Sequence, residues 1–296
     1  MTKTLLCGSD LTESGTRAAD VAALLARDLD LGLCLVHAFA GVPEVDPRTD
    51  PGTRRAAEAL ASRLEADHDE AVVALGAERA RLEAKGVRVT SARLVVGPPQ
   101  EVLVREAIGL GARFIAVGAH ARRGPILDRF FGSTAEHVLR HAPCPVMVAP
   151  GGAATDLPAS LKGRVIVVGI DGEPASLAAL SVALEVAAEA SASVEAIYVG
   201  EQASVVDKAV AYVRTQAPLA HLAGALAGVR RSPPDGKPAD VLLDIAKRTQ
   251  AALLVMGTTG RTGLTHMVLG SVAEEVCRSA TLPVLVVRAT GSTSRR

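Results

Sequence analysis

The sequence predicts an α/β protein made of two tandem Rossmann-like domains, each a five-stranded parallel sheet with helices on both faces. Three observations carry this. Apolar runs rich in Val, Ile and Leu alternate with helix-like runs, the pattern of strands buried on both sides. The same ordered set of segments occurs twice along the chain. Between the copies lies PGGAATDLPASLKG, a stretch of linker composition. The boundaries that follow are 1–150 for the first domain, 151–162 for the linker, 163–290 for the second domain and 291–296 for a frayed tail.

Each element has its own justification. In the first copy the alternation predicts strands at 4–8, 33–38, 87–95, 113–117 and 146–149, with helices at 13–29, 53–85, 99–109 and 134–141. In the second copy VIVVGID (165 to 171) answers TLLCGSD (4 to 10), each an apolar run ending in aspartate. EAIYV (195 to 199) answers CLVHA (34 to 38), and PDGKPADVLLDIA answers VVGPPQEVLVREA. LGSVAEEV matches FGSTAEHV, and ATLPVLVV matches APCPVMVA. The halves differ in length. Asp10 to Gly97 spans 87 positions and Asp171 to Gly236 spans 65, so the first half carries 22 more. The surplus falls within 40–86, which reads as one or two charged, Ala/Leu-rich amphipathic helices.

Composition narrows the function. Net charge is zero, aromatics are 2% and there is no Trp, so neither phosphate tracking nor base stacking is provided for and no nucleic-acid partner is expected. No apolar run approaches the roughly 20 residues of a membrane span, and the N-terminus has no secretory apolar core, so the expectation is a cytoplasmic protein without membrane contact. Four cysteines without a C-x-x-C read as reduced thiols, mostly buried.

The segment GTTGRTGLTHMVLGS (257 to 271) carries the functional signal. It runs from the end of an apolar strand to the start of a helix. Ser271-x-x-Glu274 there, like Ser133-x-x-Glu136 in the first half, has the form of a capping box. Glycine costs backbone entropy, and a ligand that approaches the backbone closely would offset that cost. A glycine-rich bend before a helix N-terminus suits an anion, with phosphate the natural candidate. The segment is neither a Walker A loop nor G-x-G-x-x-G; it is G-x2-G-x9-G-S.

That pattern resembles the ATP-binding branch of the universal stress protein family, and the resemblance covers nearly the whole chain as two copies. The aspartate ending the first strand (IDGEPASLAAL), the G-x-P-x-x-x-[ILV] after the third strand (GKPADVL, GPPQEVL) and the proline leading into the last strand agree with it. The resemblance implies an adenine nucleotide α-hydrolase-like fold and an ATP site in the second half, with or without Mg²⁺. Asp171 would contact the adenosine part, Val199 would offer backbone to adenine, and Gly257 and Gly260 would let the loop lie against the phosphates. Gly270, Ser271 and Val272 would hold phosphate at the helix N-terminus, with Arg261 adding charge. The first half keeps Asp10, Gly118, Gly132 and Ser133 as weaker counterparts. Ala121 stands where the second glycine would be, and ten residues rather than nine precede Gly132, an insertion expected to shift Gly132 and Ser133 relative to Gly118. Arg122 and Arg123 could compensate. For Asp10 capping of the following helix is the favoured role.

His137, His141 and Cys144 share a helix face and the residues after it, but no fourth ligand is visible and no metal site is assigned. His120 and His266 lie in the loops. The leading function is a nucleotide-dependent stress-response sensor or regulator. The alternatives are a nucleotide-free structural or chaperone-like interaction protein, and a weak ATPase or nucleotidyl-transfer enzyme, for which no catalytic residues are evident. The two halves are expected to pair about a pseudo-twofold through strands 145–149 and 283–287, covering sheet edges that would otherwise be open, with a homodimer of chains as a further step.

Overall fold

Strand residues in both halves are small or β-branched and apolar, and successive ones point to opposite faces, so each strand contributes to two cores. In the computed structural model, residues 3–39, 41, 50–119, 132–151, 157–216, 219, 221–233, 236–258 and 269–289 are described. The first half runs β1 (Thr4–Gly8), α1 (Glu13–Asp28), β2 (Gly32–Phe39), α2 (Pro51–Ala84), β3 (Val89–Val96), α3 (Pro99–Leu110), β4 (Phe114–Gly118), α4 (Ser133–His141) and β5 (Val146–Ala149). The second runs β6 (Val165–Ile170), α5 (Pro174–Ala190), β7 (Ser193–Val199), α6 (Ala203–Thr215), β8 (Leu226–Ser232), α7 (Pro238–Arg248), β9 (Leu253–Gly257), α8 (Ser271–Ser279) and β10 (Val284–Val287). Leu5 and Cys7 face the core under α1 and α2, whereas Leu6 faces the core under α3 and α4; Ile166 and Val168 against Val167 repeat this division in the second half.

Each half has the strand order 3-2-1-4-5, and the two join into one ten-stranded sheet, β3-β2-β1-β4-β5-β10-β9-β6-β7-β8. Every pairing is parallel except the seam, where β5 and β10 run antiparallel with Val284 opposite Val148, Leu285 opposite Met147 and Val286 opposite Val146. Met147 and Leu285 are wholly buried. The last strands therefore act as each other's edge cover, as the apolar segments 145–149 and 283–287 suggested.

Two further contacts tie the halves together. Arg113, at the start of β4, donates to both carboxylate oxygens of Glu189 near the end of α5, at 2.6 and 2.8 Å. Residues 157–162 are packed against the first half: Leu161 is buried, Asp28 accepts from the Ser160 hydroxyl at 2.9 Å, and Arg27 donates to the Ala159 carbonyl. The hydrogen bonds from Arg113, helped by its charge and that of Lys3, hold Glu189 below the ordinary carboxylate range. A carboxyl whose folded pKa is depressed stabilises the fold fully above its unfolded pKa and loses that contribution as pH falls through the folded value. Glu189→Gln should therefore melt below the wild type at neutral pH, and the gap should close in acid below the ordinary glutamate pKa. Because the Glu189 side chain is 37% exposed, the neutral-pH gap should be under about 1 kcal/mol. Thermal melts of both proteins across pH 3 to 7 measure it.

Where the second half has the 13-residue α6, the region holding the surplus of the first half is occupied by a single 34-residue helix, α2. Asp50 caps it by accepting from the Gly52 and Thr53 N–H groups at 2.9 and 3.0 Å. Its later turns bury Ala71, Leu75 and Leu82, while most of 52–70 is exposed. Gly76 lies inside this helix, exposed, with nothing within 4 Å of an added Cβ. Gly76→Ala is expected to stabilise the protein by about 0.5–1 kcal/mol, read as a rise in melting temperature.

Candidate functional site

Parallel strands of this order open a crevice where the chain leaves β1 and β4 in opposite directions, and the same holds for β6 and β9. In the second half four chain segments converge there. Asp171 follows β6. Tyr198 and Val199 end β7. Gly257 ends β9. Gly270, Ser271 and Val272 open α8. All line one cleft of about 340 Å³. Of the residues expected at the site, Gly260 and Arg261 lie outside the described residues, as do His120, Ala121, Arg122, Arg123 and His266 in the loops of the two halves.

The start of α8 differs from the expected capping box. Glu274 N–H donates to the Gly270 carbonyl at 2.9 Å, so Gly270 is the N-cap and Ser271 is already the first helical residue. Its hydroxyl caps nothing, and Glu274 pairs with Arg278 one turn on. The first half makes the same correction: Gly132 is the N-cap, Ser133 follows it, and Glu136 pairs with Arg140. A helix leaves its first N–H groups without internal partners, and among the described residues no side chain caps these. The N–H groups of Ser271, Val272 and Ala273, with the partial positive charge of the helix end, thus border the cleft.

Gly257 also has a reason unrelated to any ligand. A Cβ there would lie 2.7 Å from the carbonyl carbon of Ala175 and 2.8 Å from the Ser176 nitrogen, so the first turn of α5 can approach β9 only over a glycine. Just beyond, Thr258 N–H donates to Val287 O of β10 at 2.9 Å, and Gly270 N–H returns to Thr258 O at 2.6 Å. These bonds clamp the base of the 259–269 segment against the last strand.

The first half repeats the clamp. Ala119 N–H donates to Ala149 O at 3.1 Å, and Gly132 N–H donates to Ala119 O at 2.9 Å. The extra residue therefore does not displace Gly132 from Gly118 as expected, because Gly132 is bonded to Ala119 as Gly270 is to Thr258. Asp10, Gly118 and Gly132 line a smaller cleft of about 220 Å³, but Ser133 is not among its lining residues; Thr134 and Ala135 are.

The two aspartates are held differently. Thr12, not Asp10, is the N-cap of α1; Asp10 Oδ1 accepts from Thr12 N–H at 3.0 Å, the Thr12 hydroxyl at 2.7 Å and Gly15 N–H at 3.0 Å, which commits it to the turn before that cap. Asp171 Oδ1 accepts from Glu173 N–H at 3.0 Å, while Ser176, at the place of Gly15, takes the Asp171 N–H on its hydroxyl at 3.3 Å. Sequence reasoning missed the apolar wall of the second cleft, made by Pro238, Leu242 and Met256. The GKPADVL motif already contained two of these, but nothing in the sequence shows that the start of α7 faces the strand ends. It also missed His37, which lines the first cleft and donates from Nδ1 to Ser9 O at 2.8 Å.

The thiols and remaining histidines lie elsewhere. Cys7, Cys34 and Cys277 are buried and Cys144 is half-buried; all four are unbridged, and burial pushes the Cys144 thiol up to about 12. His137 and His141 stack with ring centroids 4.1 Å apart, and His141 Nδ1 bonds to the His137 carbonyl at 2.9 Å. Burial, with His141 beside it, lowers the His137 pKa. Among the described residues no group of three His, Cys, Asp or Glu gathers as a metal site, and no helix is long and apolar enough to cross a membrane.

Comparison with known proteins bears on this arrangement. The profile described as the universal stress protein family matches residues 1–150 and again 163–288. Universal stress protein Rv2005c of Mycobacterium tuberculosis is 33% identical over 227 residues, covering 73% of this chain and 72% of that protein. A universal stress protein of Mycolicibacterium smegmatis is 36% identical over 189 residues, covering 60% and 62%. The crystal structure of a universal stress protein from Archaeoglobus fulgidus superposes with a TM-score of 0.69 at 20% identity, over 97% of this chain and 98% of that one, which speaks to the fold.

Proposed function

Since this chain belongs to the universal stress protein family, as two tandem copies, we propose that its second half binds ATP or a related adenine nucleotide and serves as a nucleotide-dependent sensor or regulator. The observation that carries the reading is the convergence, in one cleft, of the Asp171 carboxylate, the backbone end of β7 and the uncapped N-terminus of α8. Phosphate would rest on the N–H groups of Ser271 to Ala273 and on the Ser271 hydroxyl. Asp171 would accept from ribose hydroxyls, and Val199 would offer its backbone to the base against Pro238, Leu242 and Met256.

The cleft is suited to recognition more than to turnover. Asp171 is the one carboxylate among its described lining residues, so no acid–base pair is assembled among them. The output of binding would pass through the clamp. Thr258 joins the cleft to Val287 of β10, and β10 joins the seam. In the first half the smaller cleft and the engaged carboxylate of Asp10 favour one nucleotide per chain.

Heating the purified protein and identifying released nucleotide by mass spectrometry, then titrating ATP with Mg²⁺ by calorimetry, tests the reading. One adenine nucleotide per chain is expected. Ser271→Ala should weaken ATP roughly 10- to 150-fold, the loss of a hydrogen bond to a charged group, with little change in the melting temperature of the free protein because its hydroxyl makes no cap. Absence of heat and of thermal shift at saturating ATP would remove the proposal and bring forward a nucleotide-free interaction protein.

A further inference from the structure

Tyr198, in the wall of the second cleft, carries a hydroxyl with no hydrogen-bond partner among the described residues. The residue is only 4% exposed, and its ring is part of the core under α5 and α6. The aromatic ring alone would serve that packing. A phenol sheltered from water with its hydroxyl unpaired costs stability, so the hydroxyl calls for a reason. The other tyrosine has one, since the Tyr212 hydroxyl lies 3.0 Å from Ser181 Oγ. The backbone beyond β7 is shaped to admit the Tyr198 hydroxyl. Gly200 has φ +153°, and a Cβ there would lie 2.4 Å from the hydroxyl oxygen. The ring therefore runs along β7 and carries its hydroxyl to the carboxyl end of the strand.

The first copy treats these positions otherwise. The repeat places His37 at Tyr198 and Phe39 at Gly200. His37 Nδ1 donates to Ser9 O, so its ring is held by the backbone. In the second copy the neighbour that matters is Asp171. Strand register sets Ile170 of β6 opposite Tyr198 of β7, and Asp171 is the next residue along. Its Oδ1 accepts from Glu173 N–H, and its Oδ2 has no donor among the described residues. A carboxylate only accepts, a phenol can donate, and a sugar hydroxyl does both. The phosphate end of the cleft is elsewhere. The end of β9, from which the chain leads to α8, is two strands away from β7, roughly 10 Å.

We propose that, on the nucleotide reading of this cleft given above, Tyr198 is its specificity-determining residue and, with Asp171, makes it select ribonucleotides over deoxyribonucleotides. The Tyr198 hydroxyl donates to a ribose hydroxyl oxygen, and Asp171 accepts from the ribose hydroxyls. The sugar is thereby fixed between the base, at Val199, and the phosphates, at the start of α8. A site built to hydrogen-bond a hydroxyl rejects the analogue that lacks it, because its own sheltered polar groups are then left unpaired. In the first copy the ring at this position is tied to Ser9, and Asp10 is spent on its turn.

The full chain, as wild type and as Tyr198→Phe, is titrated by calorimetry with ATP, 2′-deoxyATP and 3′-deoxyATP in the presence of Mg²⁺. One of the two analogues should bind the wild type at least about fivefold more weakly than ATP. Tyr198→Phe should weaken ATP roughly 2- to 12-fold, the worth of a neutral hydrogen bond. It should weaken that analogue less than about twofold, because the bond it removes is already missing there. Ser271→Ala, at the phosphate end, should weaken all three ligands alike. The free Tyr198→Phe protein should melt no lower than the wild type, since the hydroxyl bonds nothing described in the free chain; a lower melting temperature assigns the hydroxyl a structural bond and overturns the proposal. Equal affinity of the wild type for ATP and both analogues overturns it without any variant. Unchanged ATP affinity in Tyr198→Phe, or equal losses for all three ligands, overturns the role of Tyr198 and leaves the nucleotide reading standing. Absence of ATP binding by the wild type removes both.

Discussion

Leu285→Asp is expected to destabilise both halves together, by at least about 3 kcal/mol, a large part of the stability of an ordinary fold. Leu285 is wholly buried at the centre of β10, opposite Met147 of β5 and beside Val255 of β9. A carboxylate there would have no partner and no water. The milder Leu285→Ala, which only leaves a cavity, should cost about 2–5 kcal/mol. Both tyrosines, Tyr198 and Tyr212, belong to the second half, so tyrosine fluorescence follows that half, while thiol exposure at Cys7 and Cys34 follows the first. In urea the two signals should move to lower midpoints in step. If the thiols of the first half kept their wild-type transition while the tyrosine signal moved, the seam would not couple the halves.

Gly257→Ala is expected to cost about 3 kcal/mol, near the upper end of overpacking. In a chain of this length that should lower the melting temperature by roughly 5–10 °C. The added methyl would meet the backbone of Ala175 and Ser176 at under 3 Å, and helix backbone cannot rotate aside as a side chain can. The contrast with Gly76→Ala makes the point specific. One glycine stands where helix and strand touch, and the other stands where nothing does. A Gly257→Ala protein that melted like the wild type would mean that α5 yields easily, and would return Gly257 to a purely ligand-related role.

The seam and the clamps belong to one construction. In each half the segment after the fourth strand is tied to the last strand, through Thr258 and Val287 or Ala119 and Ala149, and the two last strands pair with each other. A ligand pressing on Thr258 therefore acts on a strand that the other half also uses. Coupling of this kind is physical only where the connected element has two arrangements, and the Leu285 variants probe whether the seam is that element.

The sequence by itself determined the element order, the duplication, the parallel sheets and the family, because periodicity, glycine and proline placement and the repeated strand-ending aspartates are local signals that a chain carries wherever it folds. It also brought Asp171, Val199, Gly257, Gly270, Ser271 and Val272 forward as a group, and these line one cleft. It misread the two serines as caps, since S-x-x-E is met equally by a serine one residue inside the helix, and only the bond from Glu274 to Gly270 fixes the phase. It misjudged the longer loop of the first half, because counting residues measures contour length while the Gly132 to Ala119 bond sets the distance. Tertiary structure alone decided that Gly257 is demanded by the α5 backbone and that Asp10 is consumed by its own turn while Asp171 makes a single turn contact. Each of these depends on which distant segments share a space.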